Sequence, residues 1–545
     1  MNAATSPIEH QTGVAVARPR FRAFPWVAAA CVLALFVIAP AAGFLSLMHG
    51  SMLAAPLGFS PFQLNAIRET GLLLAGVIVL AGSMGLVTAW LVAIYDFPFR
   101  RIIEIALVLP MAFPTYLAAF VAVDLFDFFG PVQTLWRGLI GAKTFADYRF
   151  FDMRSLPGAI VVIALVLFPY VYVSCRMVFA HGGRNIIDAA RMLGARGFSL
   201  FFRIGLPLAL PALTAGLVLV VLETINDIGA TEHLGISSFS VVIRDLWLNR
   251  GDLPAAARMA ALLMVVVVLL LVLDRRPARA RVSPTRTTAA PRAIRLSGFT
   301  SWLVTLVTGM PVVLGFGVPT AFLIWRAGQY AGKQAFDPAF FSAALSSLSL
   351  AVSVSVAVMA FGAVLTIAIR ILPRLTPANR LAAFGYAVPG TVLVLAMFPV
   401  LRASDDLVAM TGLNWAISGT FAAVVFTLVV RFIGIGAGQA GLALGRLPQS
   451  IDWVARVHGM RDFRLALEVH LPAMLPGLKL GGILVFIDTV KELPATLLLR
   501  PLNFETLATR AYAEASAGTF EHAALDSLAI IALSGLAALI LTRRT

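Results

Sequence analysis

The 545-residue chain is poor in charged residues and in cysteine. Charged residues make up only 13% of it, whereas soluble globular chains carry about 25%. Its two cysteines, Cys31 and Cys175, both lie within apolar runs, so a disulfide framework is excluded. Apolar residues make up 60% of the chain, more than a water-facing fold can bury. These values predict an integral membrane protein and exclude soluble enzymes, nucleic-acid-binding proteins and disordered chains.

Motifs for catalysis and for metal binding are also missing. The chain has no GxxxxGK[ST] segment, so it cannot cradle ATP phosphates in a P-loop. It has no HExxH motif and no nucleophile elbow, and its seven histidines are scattered without metal-ligand spacing. We therefore expect neither catalytic residues nor a metal site, and no cofactor in this chain.

What the chain has in abundance is long apolar runs. Twelve of them are long enough to cross a hydrocarbon core of about 30 Å as helices, which predicts an all-α membrane fold. The predicted spans are 24–48, 71–95, 102–128, 157–180, 206–227, 255–273, 301–325, 342–369, 384–400, 416–435, 473–490 and 525–541. Prolines interrupt the third span (Pro110, Pro114) and the ninth (Pro389, Pro399). Such breaks are tolerated where neighbouring helices or a water-lined cavity satisfy the freed backbone groups.

Lysine and arginine are distributed unequally between alternate loops. One set of loops, which includes both termini, holds 25 of them and the other set holds 13. Because positive residues concentrate on the cytoplasmic side, both termini are predicted to be cytoplasmic. The first apolar run is longer than the 7–15 residues of a signal-peptide core, so we expect an uncleaved first span.

The chain divides into two similar halves. Residues 274–300 contain seven arginines and three prolines, which is typical of a cytoplasmic linker. The predicted organisation is a tail (1–23), a first six-helix half (24–273, core unit 66–273), the linker, a second half (301–541, core unit 340–541) and a short C-terminus (542–545). Gly194, Pro207, Pro211 and Gly216 recur as Gly459, Pro472, Pro476 and Gly481, at a constant offset of 265. Two such halves predict a pathway between them, as in a transporter or a channel.

One predicted cytoplasmic loop carries a specific motif, Asp188-Ala189-Ala190-x3-Gly194-x9-Ile204-x-Leu206-Pro207. It resembles the EAA loop of ATP-binding-cassette (ABC) importer permeases, and the second half has the same spacing with Val469. The resemblance implies two loops, each a helix, a glycine turn and a second helix, that dock on a cytoplasmic ATPase, with Pro207 and Pro472 each starting a span. The implied ATPase contacts are Asp188, Ala189, Ala190, Gly194, Leu206 and Pro207 in the first loop and Ala455, Gly459, Leu471 and Pro472 in the second.

The resemblance also implies partners and a location. Two copies of an ABC ATPase subunit would hold ATP and Mg²⁺, and a periplasmic binding protein would deliver the substrate to a permease in the bacterial inner membrane. The second loop departs from the family pattern, because Trp453 and Val454 replace Glu and Ala, and Asp452 falls one position early. We expect it to dock less tightly, or to use Arg456, Arg461 and Arg464 instead.

Carboxylates recur near the predicted outer ends of spans five and eleven. Glu223, Asn226 and Asp227 lie in the first half, and Asp488, Lys491 and Glu492 lie at the matching place in the second. At i and i+4, each pair of carboxylates is predicted to share one helix face. Ionisable residues at membrane depth usually face a bundle interior or a water-filled route, so these six are predicted to line the substrate pathway. The alternative is a set of interfacial helix-end groups, which is the reading we favour for Asp124 and Asp127.

Three segments resemble ferric-iron importer permeases, which are fused two-half proteins. They are the stretches 491–510, 223–230 and 386–390, the last reading Tyr-Ala-Val-Pro-Gly. This resemblance implies ferric iron as the cargo, with thiamine, polyamines or phosphonates as alternatives on the same architecture. From another class, an ion-coupled secondary transporter would fit the two halves but would not explain the paired loops. A channel is the third possibility.

Overall fold

A computed structural model describes residues 24–54, 58–182, 184–274, 293–330, 337–413 and 415–542. The predicted N-terminal tail, residues 275–292 of the predicted linker and residues 543–545 lie outside the described residues. The described chain is helical apart from two short strands, β1 (Tyr95–Asp96) and β2 (Ile294–Arg295), which pair in parallel. The strand pair joins the predicted linker to the loop after the second predicted span, a contact that the sequence did not predict.

The described residues of the first half form twelve helices. They are α1 (Phe24–Ala54), α2 (Pro61–Ile94), α3 (Arg100–Ala106), α4 (Thr115–Phe126), α5 (Pro131–Ile140), α6 (Leu156–Met177), α7 (Arg184–Met192), α8 (Gly197–Leu200), α9 (Leu206–Asn226), α10 (Gly229–His233), α11 (Phe239–Arg244) and α12 (Leu253–Asp274). The start of α2 shows why it begins ten residues before the predicted span. Ser60 and Gln63 form a reciprocal capping box, and Pro61 occupies the first turn, where no backbone donor is needed.

In the second half, twelve helices likewise lie within the part of the chain that the structure describes. They are α13 (Phe299–Val312), α14 (Val318–Tyr330), α15 (Pro338–Ile371), α16 (Thr376–Ala387), α17 (Gly390–Met410), α18 (Phe421–Leu444), α19 (Gln449–Val457), α20 (Asp462–Leu465), α21 (Leu471–Val490), α22 (Pro494–Leu499), α23 (Leu507–Ser516) and α24 (Phe520–Thr542). Five-residue π-helical turns cover Val178–Gly182, Phe201–Gly205, Asp245–Asn249, Val313–Gly317 and Ala466–His470. Turns of 3₁₀ helix cover Leu109–Ala112, Phe145–Asp147 and Pro373–Leu375.

Within the described residues, nine helices are long and apolar enough to cross a membrane, or ten if one sharply bent pair counts as a single span. The helices α1 and α24 occupy the positions of the first and twelfth predicted spans. The all-α membrane fold is therefore confirmed, whereas the count of twelve spans stays a prediction.

Two predicted spans are broken at their prolines. The third is not one helix, because α3 ends at Ala106, Pro110 lies in a 3₁₀ turn and Pro114 precedes α4. The ninth bends by 118° between α16 and α17, where Val388 is extended ahead of Pro389. Proline has no backbone donor and disfavours the helical conformation of the residue before it, which explains both breaks.

The two halves repeat the same elements in register. Helices α7, α8 and α9 begin at residues 184, 197 and 206, and α19, α20 and α21 begin at 449, 462 and 471, each 265 residues later. In both halves a π-helical turn joins the second short helix to the following long one. Pro207 and Pro472 were predicted to start a span. Each instead lies inside a longer continuous helix that begins with the short helix before it. The wider turn accommodates the proline ring without breaking the helix.

The halves exchange peripheral helices. Helix α1 packs against α15, α16 and α17 of the second half, and the ring of Phe36 lies 4.6 Å from that of Phe426. Conversely, α14 packs against α4 of the first half, where Arg326 Nε donates to Asp124 Oδ2 at 3.0 Å. Apolar core between the long helices, chiefly α2 with α6 and α15 with α18, completes the bundle. Each half therefore contributes a peripheral helix that packs against the other half.

Candidate functional site

A cavity of about 90 Å³ lies between the two halves. Its first-half wall consists of the broken segment 111–116, part of α6 and the end of α9, and its second-half wall consists of parts of α16, α18 and α21. The non-helical backbone of the third predicted span thus borders a cavity, as the energetics of membrane backbone require. The polar side chains that line it are Thr115, Tyr116, Tyr170, Glu223, Asn226, Asp227, Tyr386, Arg431, Asp488, Lys491 and Glu492.

All six residues predicted to line the substrate pathway border this one cavity. The prediction that each pair of carboxylates shares one helix face was wrong, however. Helix α9 ends at Asn226 and α21 ends at Val490, so Asp227 and Glu492 lie beyond the helix ends and share no helix face with Glu223 and Asp488. The chain turns at each helix end, and this turn brings the carboxylates to the cavity.

Asp227 and Glu492 hold matching backbone turns. Asp227 Oδ1 accepts a hydrogen bond from the Ala230 backbone N–H at 2.8 Å, and Glu492 Oε1 accepts one from the Ala495 N–H at 2.8 Å. The two acceptors and the two donors are each related by the offset of 265. Each carboxylate therefore satisfies an otherwise unpaired donor in the first turn of a short helix, α10 or α22.

Two ion pairs lie in the second-half wall. Arg431 Nη1 is 3.1 Å from Glu492 Oε1, and both residues are buried. Lys491 Nζ is 3.1 Å from Asp488 Oδ1, with about a fifth of each side chain exposed. The cavity carries four carboxylates against two cations, which leaves a formal excess of two negative charges.

Contacts across the cavity join the two halves. Tyr386 donates its hydroxyl hydrogen bond to Glu223 Oε1 at 3.0 Å, and the Gly390 backbone N–H donates to Asn226 Oδ1 at 2.6 Å. Both second-half partners flank the sharp bend at Pro389. The bend of the ninth predicted span thus contacts the end of the fifth.

Asp124 and Asp127 lie elsewhere. Asp124 is bound to Arg326, and Asp127 Oδ1 accepts from the Phe129 backbone N–H at 3.1 Å. Neither borders the cavity described above.

The two EAA-like loops, residues 184–207 and 449–472, have the same backbone geometry. Gly194 and Gly459 both adopt positive φ, +90° and +80°, a region that glycine reaches without steric cost. The N–H after each glycine donates to the carbonyl five residues earlier, in Ala190 and Ala455, both at 3.0 Å. This is the Schellman arrangement that ends a helix with a left-handed residue.

The remaining predicted contact residues differ in exposure. Asp188 is half exposed and pairs with Arg191 at 3.2 Å, and Ala189 is exposed. Pro207 and Pro472 are exposed, while Leu206 and Leu471 are half-buried. Of the three second-loop arginines, Arg456 pairs with Asp462 at 3.3 Å and Arg464 pairs with Glu468 at 2.6 Å.

Both loops expose apolar side chains at matching positions. Met192 and Phe198 are 90% and 83% exposed, and their counterparts at the offset of 265, Val457 and Phe463, are 85% and 67% exposed. Large apolar side chains that are exposed at matching positions of two loops are characteristic of a surface that a partner covers.

The second loop is fixed to the membrane helices by a polar cluster, which we call the Arg370 clamp (Arg370, Asp452 and His470). Arg370 Nε donates to Asp452 Oδ2 at 2.8 Å, and its Nη2 donates to the Leu447 carbonyl at 3.0 Å. His470, fully buried, lies with Nε2 3.1 Å from Asp452 Oδ1. Burial alone would raise the pKa of Asp452, but the hydrogen bonds and charges of Arg370 and His470 outweigh it and lower that pKa.

The chain resembles known proteins, and these likenesses indicate its family. Residues 81–276 match the family of binding-protein-dependent transport system inner membrane components. The chain is also 24% identical over 501 residues to the Fe(3+)-transport system permease protein FbpB 2 of Haemophilus influenzae, covering 89% of this chain and 91% of that protein. The family match over residues 81–276 and this likeness support an ABC transporter permease. Within the family, the permease resembles the ferric-iron type over nearly its whole length.

Other relatives resemble shorter parts of the permease. The sulfate transport system permease protein CysT of Escherichia coli is 28% identical over 208 residues, which is 36% of this chain and 71% of the relative. The molybdenum transport system permease protein ModB of Escherichia coli is 29% identical over 147 residues, 27% of this chain and 61% of the relative. All these relatives are transport subunits and not enzymes. Membership implies an inner-membrane protein that works with ATPase and substrate-binding partners.

Sequence reasoning missed several residues of the permease that the structure brings to these sites. Arg431 was the strongest available signal, because a charged residue within an apolar run usually faces the bundle interior. Tyr116 and Tyr170 gave no signal, since tyrosine is common in apolar runs. The exposed Phe198 and Phe463 could have been found from their offset of 265 within charged loops.

Proposed function

We propose that the permease is the membrane-spanning subunit of an ATP-driven importer and passes ferric iron from a periplasmic binding protein to the cytoplasm. The observation that carries this proposal is the cavity between the halves, with its formal excess of negative charge. A cation would be attracted to such a cavity, and an oxyanion would be repelled.

The charge of the cavity distinguishes between the cargoes of the relatives. Sulfate and molybdate are anions, whereas both cations in the cavity wall, Arg431 and Lys491, are already bound to carboxylates. The same argument disfavours phosphonates. It leaves thiamine and polyamines, which are cations, and the full-length likeness to a ferric-iron permease favours iron among them.

The EAA-like loops support ATP-driven transport over a secondary transporter. They present two copies of one backbone turn with matching exposed apolar residues, Met192 with Val457 and Phe198 with Phe463. One ATPase subunit on each loop would account for the repetition. An ion-coupled carrier binds no ATPase, so it would not account for the repeated turn.

The test is reconstitution of the permease with its ATPase and binding protein in proteoliposomes. We expect ATP-dependent uptake of ferric iron that excess thiamine, spermidine or sulfate does not reduce. Iron uptake without ATP would favour a secondary transporter, and uptake of another cargo in place of iron would refute the assignment of iron.

A variant with both Glu223→Gln and Asp488→Asn tests the role of the cavity. Removing two negative charges should lower iron uptake about tenfold or more, because ionisable groups along a membrane pathway usually serve the passing ion. ATPase binding should be unchanged, since the cavity and the EAA-like loops are separate. Asp406→Asn, which removes an exposed carboxylate outside the cavity, is the matched control. Uptake by the double variant equal to that of the control would contradict the proposed pathway.

A further inference from the structure

Two oxygen atoms in the cavity wall have no hydrogen-bond partner among the described residues. They are the Tyr116 hydroxyl and Asp227 Oδ2, in side chains that are 4% and 8% exposed. Both residues border the cavity. The two segments that carry them are in contact, because a Cβ atom placed on Gly229 would lie 2.7 Å from Tyr116 Cβ.

Such unpaired groups are costly. A buried polar atom without a partner destabilises the fold, so each one in a native fold calls for an explanation. The other three carboxylates that line the cavity each have a partner. Glu223 accepts a hydrogen bond from Tyr386, and ion pairs join Asp488 to Lys491 and Glu492 to Arg431. Both unpaired oxygen atoms therefore belong to the first-half wall, and a ligand that binds oxygen atoms would pair with them.

The chemistry of these donors selects a class of ligand. A phenolate and a carboxylate are hard oxygen ligands, which suit a hard cation such as Fe(III). Among the described residues, no cysteine or histidine borders the cavity. We propose that Tyr116 and Asp227 form a transit site that binds ferric iron directly as it crosses the cavity. The proposal rests on the proposed function and adds to it the residues that touch the cargo.

Binding changes the protonation of the site. When the Tyr116 oxygen bonds to Fe(III), its proton is released to water in the cavity, and the phenolate takes a proton back when the ion leaves. Two protein ligands leave the remaining coordination positions to water, which keeps the ion weakly held. Among the described residues, no group of three or more His, Cys, Asp or Glu could hold a metal ion. Weak binding suits conduction, because an ion that enters must also leave.

The test uses the full-length permease in lipid nanodiscs, with ferric citrate as the probe. Phenolate bound to Fe(III) gives a visible charge-transfer absorption, so wild-type permease should develop such a band and Tyr116→Phe should not. Asp227→Asn keeps the shape of the side chain and should weaken iron binding about tenfold or more. Tyr148→Phe is the matched control and should keep the band, because Tyr148 lies outside the cavity and contacts Gln133.

Absence of the band in wild-type permease, or its persistence in Tyr116→Phe, would overturn the transit site. Loss of the band in Tyr386→Phe but not in Tyr116→Phe would do the same. Thermal unfolding of each variant shows whether it is folded, and Asp227→Asn gives an independent reading if Tyr116→Phe is not. Failure here is distinguishable from failure of the proposed function. ATP-dependent iron uptake by the reconstituted wild type would still support the importer, even if no variant at Tyr116 or Asp227 affected iron binding.

Discussion

Ile187 in the first EAA-like loop and Asp452 in the second occupy the same position in the repeat and are both buried. Ile187 belongs to an apolar core cluster that also contains Trp90, Phe179 and Leu200. Asp452 instead binds Arg370 and His470. The same contrast holds one helix away, where the repeat places Gly205 against the Trp90 ring and His470 against Asp452.

This difference separates the two tasks of each loop. The turn that faces the proposed ATPase is identical in both halves, with a left-handed glycine and exposed apolar side chains. The side that faces the membrane helices is apolar in one half and ionic in the other. Docking on the proposed ATPase would account for what the loops share, whereas the contacts that hold each loop to the membrane helices differ between the halves.

The largest expected effect comes from the shared turn. Gly194→Trp forces a bulky residue into a left-handed backbone, which costs about 1–2 kcal/mol, and it places the indole where a partner would dock. Apart from its chain neighbours, none of the described residues lies within 4 Å of a Cβ atom placed at Gly194. We expect transport to fall about tenfold or more, with ATP hydrolysis uncoupled from uptake and the protein still folded. Measured uptake and ATPase rates would show this.

The pair of glycines sharpens the comparison. Gly459→Trp should have a smaller effect than Gly194→Trp if the second loop docks less tightly, and the double variant should be the most impaired. Gly138→Trp is the control, because Gly138 is also open but has no positive φ. Normal uptake by Gly194→Trp would show that the turn does not dock on the ATPase.

The second prediction addresses the Arg370 clamp. Arg370→Ala leaves the buried Asp452 without its cation and should destabilise the second loop by about 3–5 kcal/mol. Arg191→Ala breaks the half-exposed pair with Asp188 and should cost at most about 1 kcal/mol. Hydrogen exchange of residues 449–460 and 184–195 in the purified permease measures both.

Combining Arg370→Ala with Asp452→Ile gives the second loop the apolar residue that the first loop buries at this position. It should recover part of the lost stability, because no unpaired charge is then buried. A double variant less stable than Arg370→Ala would mean that the clamp is held by something other than its ion pair.

The third prediction concerns the exposed apolar residues. Phe198→Ser and Phe463→Ser should each weaken ATPase binding by about 1–2 kcal/mol, as expected for an aromatic anchor at an interface. Binding of the purified ATPase to permease in nanodiscs gives the value. Phe129→Ser is the control, since Phe129 is 86% exposed outside both loops. Equal binding by all three variants would remove these residues from the docking surface.

The sequence could predict the loops because their features are local. Glycine at a left-handed turn and proline at a fixed distance from it carry the pattern within 24 residues, and the offset of 265 doubles the signal. The long apolar runs likewise predicted the membrane helices, and their prolines predicted where two of them break. The turn at each helix end was missed, because whether Asp227 continues α9 or leaves it depends on the Ala230 N–H that it binds.

What holds each loop could not be predicted, because the partners are remote in sequence. Arg370 lies 82 residues before Asp452, and nothing in either segment identifies the other. The cavity was predictable only as a pathway between two halves. Its open oxygen atoms, Tyr116 and Asp227, belong to segments 111 residues apart in the chain, and only the folded arrangement brings them together.

The smallest expected effect is a pH dependence confined to the second loop. The lowered pKa of Asp452 means that its carboxylate stabilises the clamp fully above its ordinary pKa of about 3.9, and that this stabilisation is lost as the pH falls through the lowered value. Hydrogen exchange of residues 449–460 should therefore rise relative to residues 184–195 below about pH 4. The first loop buries the uncharged Ile187 at the matching position, and its half-exposed pair of Asp188 with Arg191 stabilises it by at most about 1 kcal/mol. Using the ratio of the two loops in one sample cancels the intrinsic effect of pH on exchange. In Asp452→Asn, which cannot titrate, the ratio should be independent of pH, and a wild-type ratio equally flat in acid would show that the Asp452 carboxylate does not hold the loop.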